Sequence, residues 1–232
     1  GIDALDRGRV ALAGDDGDVP DLGGLVLSDH EGERAGLSRL SDLRPAEPVQ
    51  RYELEQPGEL LHIDIKKLGR FDKVGHRITG DRTQRARHIG WEHVFVAVDD
   101  HSRMAFTQVY PEECKHSAEA FLRSAVAYFE CLGVPIQRVL TDNGACYKSK
   151  RFAALCRRLG LRHLRTRPYT PQTNGKAERF VQTSLREWAY AQPYESSAQR
   201  HAALYPFIDR YNWLRPHSAL NHQPPMTRIP AM

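Results

Sequence analysis

The sequence predicts an α/β domain in which five strands alternate with helices around one core, and three features point to it. In ELLHIDIKKLG, Leu61, Ile63 and Ile65 alternate with His62, Asp64 and Lys66, the period of two that marks a strand. HVFVAVDD is a continuous apolar run, as expected of a central strand covered on both faces. Amphipathic stretches separate the later strands, as in KSKRFAALCRRLG, where Phe152, Leu155, Cys156 and Leu159 share one helical stripe.

Residues 1–35 are rich in Gly and Asp, show no period and receive no fold. Residues 36–58 read as an extended linker, since Pro45, Pro48 and Pro57 exclude a helix. A core is expected over 59–193, completed by a helix and tail over 194–232. Within it, the stretch from Gly69 to Gly90 is a polar excursion after the first strand. HVFVAVDD follows as the second strand, and MAFTQVY, after the DDHSR turn, is a third that pairs antiparallel with it. SAEAFLRSAVAYFECLG is a helix capped by Ser117 and stopped by Gly133 and Pro135. RVLT is the fourth strand, ending in Asp142 and the Asn143-Gly144 turn, and RHLRTRPY is the fifth. TPQTNG leads into the helix KAERFVQTSLREWAY, with Asn174 as its cap. One last helix covers SAQRHAALYPFIDRYNWL before a Pro-rich tail.

Composition narrows the class. No run of eighteen apolar residues is present, which argues against a membrane span, and the first residues lack the basic-then-apolar pattern of a signal peptide. Cys114, Cys131, Cys146 and Cys156 form no C-x-x-C pair, so small core residues in a reducing cytosol are expected instead of zinc or disulfides. The net charge of +4 is unevenly spread. Residues 1–63 hold fourteen acidic and six basic side chains, whereas 143–190 hold eleven Lys/Arg against two Glu. A basic stretch of that density suits a polyanion, because each neutralised phosphate releases counterions.

TDNGACYKSKRF leaves Asp142 at the mouth of a strand and crowds it with Lys148, Lys150 and Arg151. Alone, such an aspartate caps a turn. Asp64, charged within an apolar strand and facing away from Leu61, Ile63 and Ile65, calls for compensation, either a salt bridge or a shared site. If the first and fourth strands are neighbours, both carboxylates reach one end of the sheet. Glu178 stands at the margin of the stripe formed by Ala177, Val181, Ser184, Leu185 and Trp188, near a helix start where negative charge is favoured. Three carboxylates on one site are hard oxygen ligands for Mg²⁺. Two such ions activate an attacking oxygen and stabilise a leaving one in phosphoryl displacement. The surrounding cations would then hold phosphates.

HIDIKKLG, TDNGACYKS and PQTNGKAERF, with thirty-five residues between Asp142 and Glu178, resemble the D-D-E catalytic core of bacterial insertion-sequence transposases and retroviral integrases. The tail YNWLRPHSALNHQPP is similar to that family's Y-N-x-x-R-P-H-x-x-L ending. The resemblance runs from about Gly36 onward. It implies a ribonuclease-H-like fold, a mixed five-stranded sheet flanked by helices, with Asp64, Asp142 and Glu178 as a triad for two Mg²⁺ or Mn²⁺ ions. It further implies cleavage of element ends in double-stranded DNA, transfer of the 3′-hydroxyl to target DNA, a homo-oligomer that brings two ends together, and a cytoplasmic, nucleoid-associated protein. Relatives carry a helix-turn-helix ahead of the core. Residues 1–35 do not read as one, and a truncated or frameshifted DNA-binding region is the expectation for them. A non-catalytic DNA-binding remnant and a structure-specific nuclease on the same fold are the competing readings.

Lys176, Arg179, Gln182 and Arg186, spaced along the Glu178 helix, join Lys148, Lys150 and Arg151 as candidate DNA contacts. Asp99 and Asp100 are expected to cap a turn beside His101, and His62 to be a polar residue on a half-exposed strand. Tyr147 and Tyr169 either stack on an unpaired base or pack against the sheet. Trp188, Tyr211 and Trp213 are expected in the core.

Overall fold

Residues 53–74, 80–81, 90–166 and 174–230 are described by a computed structural model. The expectations for 1–35, for 36–52, for Tyr169 and for most of the Gly69–Gly90 excursion lie outside them.

Five strands form one mixed sheet: β1 (Leu61–Gly69), β2 (Trp91–Asp99), β3 (Ala105–Tyr110), β4 (Arg138–Thr141) and β5 (Arg162–Arg165), in the spatial order β3-β2-β1-β4-β5. β2 runs antiparallel to both β1 and β3, while β4 and β5 add to the other side of β1 in parallel. Parallel additions need crossovers, and helices supply them. α1 (Lys115–Cys131) carries the chain from β3 to β4, and α2 (Lys150–Arg158) carries it from β4 to β5.

Because side chains alternate across a strand, the sheet feeds two separate apolar layers. Leu61, Ile63, Phe95 and Ala97 face α1 and α2, where they meet Phe121, Leu122, Phe129, Phe152 and Leu155. Val94, Val96 and Val98 face the opposite way. They are covered by α3 (Gly175–Ser184), a π-helical turn (Leu185–Ala189), α4 (Ser197–Ala202) and α5 (Leu204–Trp213), which contribute Ala177, Phe180, Trp188, Phe207 and Tyr211. The Phe180 ring meets Tyr211 edge-on, with centroids 4.8 Å apart.

Several local expectations are corrected. α1 begins at Lys115 with Cys114 as its cap residue, so Ser117 lies inside the first turn, where it does not cap. α2 is capped by Ser149, whose Oγ accepts from the Phe152 amide at 3.2 Å. The helix carrying Glu178 gains one wide turn at Leu185–Ala189, and Trp188 there donates its indole N–H to the Arg200 carbonyl at 2.7 Å. The last helix is two, α4 and α5, meeting at Ala203. Trp188 and Tyr211 are core residues, but Trp213 is half exposed at the end of α5.

Residues just before β1 are already tied to the sheet. The Leu54 amide donates to Asp100 and the Gly58 amide to Asp99. Gly58 has φ +85, and a Cβ there would lie 2.4 Å from the Pro135 carbonyl oxygen, so a side chain is excluded twice over. The four cysteines are unpaired, and burial pushes the Cys146 and Cys156 thiols up to about 11. Among the described residues, no helix is long and apolar enough to cross a membrane.

Candidate active site

The β1–β4 ladder brings the first two carboxylates together. Leu61 pairs with Val139 and His62 with Leu140, an offset of 78 residues, and the same offset carried onward sets Asp64 beside Asp142. Alternation puts both on the α3 side of the sheet, since Leu61, Ile63 and Val139 face the α1 layer. β4 stops at Thr141, so Asp142 begins the loop. Its Oδ1 accepts the Gly144 amide at 2.9 Å, and Asn143 donates its Nδ2 to the Thr166 carbonyl at 2.8 Å, which ties the loop to the end of β5. A Cβ on Gly144 would stand 3.0 Å from that Asp142 oxygen, so a side chain there would press on the carboxylate.

Asp64 is half-buried, and its Oδ1 accepts the amide of Ile65 at 2.8 Å. Burial pushes its carboxyl up to about 6. The Ile65 hydrogen bond opposes the shift, and the charges of Asp142 and Glu178 add to it. That coupling puts both Asp142 and Glu178 within electrostatic reach of Asp64. Glu178 itself is exposed in the first turn of α3, while its neighbours Ala177 and Phe180 are buried against the sheet. Among the described residues, no three His, Cys, Asp or Glu side chains already converge into a metal cage. The donor set is all oxygen and mutually repelling, chemistry that suits a hard divalent cation.

The seven candidate DNA contacts do not form one group. Lys148, Lys150 and Arg151 are exposed on the α2 side of the sheet, whereas Arg179, Gln182 and Arg186 are exposed on α3 and the turn after it, on the other side. Arg151 is engaged by Glu119 of α1 at 3.0 Å, and Glu119 also takes Arg123 and Arg158. Lys176 turns inward instead of toward solvent: its Nζ lies 2.5 Å from Asp100 Oδ1 and 3.2 Å from the Asp100 carbonyl oxygen.

Two further expectations change here, and an open one is decided. His62 is fully buried, not half-exposed, and joins Asp100 at 2.8 Å through Nε2 and Asn174 at 3.2 Å through Nδ1. Asp99 caps the turn as expected, accepting the Ser102 amide and hydroxyl at 2.7 Å each, but Asp100 points the other way, into this buried group. Burial alone would raise the Asp100 carboxyl, yet His62, Lys176 and the Leu54 amide outweigh it and hold it well below the usual carboxylate range. Tyr147 is buried against Phe152, which leaves its ring unable to stack on a base. The Asp100 group spans 38 to 112 residues of chain, too far for any local pattern to reveal. Its one local signal is that His62 and Asp64 share a strand face.

Two sequence profiles described as the integrase core domain match this chain, over residues 55–171 and 159–225. The transposase InsD of the Escherichia coli element IS2A/D/F/H/I/K is 36% identical over 86 residues, 37% of this chain and 29% of that protein. The same protein encoded by IS2 on the F plasmid of E. coli K12 is equally similar. The matched segment thus spans well under half the length of these relatives. Among solved structures, the BIV integrase catalytic core superposes with a TM-score of 0.52 at 22% identity, over 74% of this chain and 93% of that one. A simian T-cell lymphotropic virus intasome chain gives 0.59 at 20% identity, over 78% and 57%. The HTLV-2 integrase core in complex with magnesium gives 0.52 at 16%, over 75% and 98%. These likenesses establish the fold as that of the retroviral integrase cores, which is ribonuclease-H-like, and with the profile match over half its length the chain belongs to the integrase core domain family.

Proposed function

We propose that this chain is the catalytic core of a DNA transposase, which cleaves the ends of a mobile element and joins the freed 3′-hydroxyl to target DNA. The observation that carries the reading is the β1–β4 register that sets Asp64 beside Asp142, with Glu178 on the helix packed over the same face. Mg²⁺ or Mn²⁺ ions held by these three carboxylates would supply Lewis-acid activation of the attacking oxygen and charge stabilisation for the leaving one. The protein's own part is positional. Asp64 would present its oxygens from β1 and Asp142 from the loop that follows the adjacent β4, with Glu178 closing the site from α3. Exposed Lys148, Lys150, Arg179 and Arg186 are available to phosphates on both sides of it. Double-stranded DNA is the proposed partner, and two ends brought together call for more than one copy of the chain.

Purified protein, its own element-end duplex and Mn²⁺ make the direct test, read as 3′-end cleavage followed by joining to a second duplex. Cutting without joining would assign a nuclease instead, and DNA binding without chemistry would assign a remnant. Asp64→Asn, Asp142→Asn and Glu178→Gln preserve shape and remove charge. Each is expected to lower both steps on the order of a thousandfold or more while the fold persists by circular dichroism. Near-wild-type cleavage by Asp142→Asn would remove that residue from the site.

A further inference from the structure

We infer that Lys176, Asp100, His62 and Asn174 form a closed buried ring that positions Glu178 over Asp64, an inference that rests on the reading of those carboxylates as the active site. Asn174 occupies the cap position of α3 but makes no capping bond to the helix. Its amide turns to β1 instead, with Nδ2 donating to the Ile63 carbonyl at 3.2 Å and Oδ1 facing His62 Nδ1 at 3.2 Å. His62 passes the contact to Asp100 at the β2–β3 turn, and Lys176 returns it to α3 through the same Asp100 oxygen. The other Asp100 oxygen takes the Leu54 amide at 2.9 Å, so both are used.

Three segments are thereby joined: the start of α3, the beginning of β1 and the turn that follows β2. The attachment points matter. Ile63 immediately precedes Asp64, and Lys176 lies two residues before Glu178 on the same first turn. A cap residue that abandons its own helix to bind the strand carrying Asp64 fixes the height of that turn above the sheet. Partners that orient metal ligands are commonly worth ten- to a hundredfold in metal affinity. Breaking a buried ion pair by removing one member leaves the other charge uncompensated, so the ring is also rigid.

Lys176→Met is the main test, with Lys176→Arg as the conservative control. Backbone amide exchange, followed by mass spectrometry, should speed up about tenfold or more at Arg179–Gln182, whose amides donate to the first turn of α3, while α1 and β2 keep their protection. Mn²⁺ affinity, measured from the electron paramagnetic resonance of free Mn²⁺, should fall about tenfold and be partly restored by Lys176→Arg. In a Glu178→Gln background, Lys176→Met should change Mn²⁺ affinity no further, because the ring acts through Glu178. Unchanged exchange at Arg179–Gln182 overturns the inference whether or not the wild type binds metal or cuts DNA. Uniform loosening of all elements, with additive losses of Mn²⁺ affinity, overturns it too. If Lys176→Met unfolds the domain, Asn174→Ala, which cuts only the neutral link, is read by the same two measurements. A wild type that binds no Mn²⁺ would count against the proposed function, and amide exchange would still decide whether the ring holds the helix.

Discussion

Asp64 combines a carboxyl raised to about 6 with two acidic neighbours, so its charge state bears directly on the stability of the metal-free protein. Its folded value lies above the ordinary 3.8, so the folded state holds the proton more tightly than the unfolded one. The stabilisation is complete below about pH 4 and is lost as pH rises through 6. Asp64→Asn is therefore expected to raise the melting temperature of the metal-free protein at pH 8 and to leave it nearly unchanged at pH 4, a difference on the order of 1–3 kcal/mol. Millimolar Mn²⁺ should raise the wild-type melting temperature at pH 8 and leave Asp64→Asn much less affected. Equal shifts in both proteins would place the cation elsewhere. Asp64 and Asp142 were legible in the sequence because a charge inside an apolar strand and an Asp-Asn-Gly turn at a strand end are local departures from pattern. His62 was not, because its burial depends on Asp100 and Asn174, which arrive from distant segments.

At the scale of elements, the strands and the α1, α2 and α3 helices were legible from period, apolar runs and turn residues, while several of their ends were not. The π-helical turn after α3 accompanies packing of Trp188 against Arg200, which helical period does not encode, whereas the break at Ala203 falls where Pro206 leaves the Ala202 carbonyl without its helical donor. The basic surface shows the same limit. Charge density marked the α2 and α3 segments, but only the structure separates cations left open to a ligand from cations already paired. Lys148→Ala and Arg186→Ala are expected to weaken binding to specific and unrelated duplexes alike, each lowering the salt slope by up to about one. Arg151→Ala should change the slope less, since Glu119 already engages its guanidinium. Filter binding across a salt series reads all three, and an Arg151 effect as large as that of Lys148 would mean the ion pair opens on DNA.

For the molecule as a whole, the C-terminal helices complete one of the two apolar layers. Leu204, Phe207 and Tyr211 are buried with Val94, Val96 and Val98, and each large side chain contributes about 1.5–3 kcal/mol by leaving water. Truncation after Pro193 should abolish cooperative unfolding in urea, and a sharp transition in the shortened chain would show that the layer is dispensable. α4 and α5 thus pack as part of the core, through residues that follow Pro193 in the sequence.

The parallel β1–β4 ladder also governs which changes in chain length the site tolerates. Asp64 and Asp142 are neighbours through strand register, so the number of residues between them is free to vary. Insertions in the segment between β1 and β2, or in the turn between β3 and α1, leave the two carboxylates side by side. A single residue deleted inside β4 does the opposite. It moves Asp142 back by one position and, because side chains alternate, turns it toward the α1 layer and away from Glu178. Natural length variation in this protein should therefore collect in its connections and spare the four residues of β4.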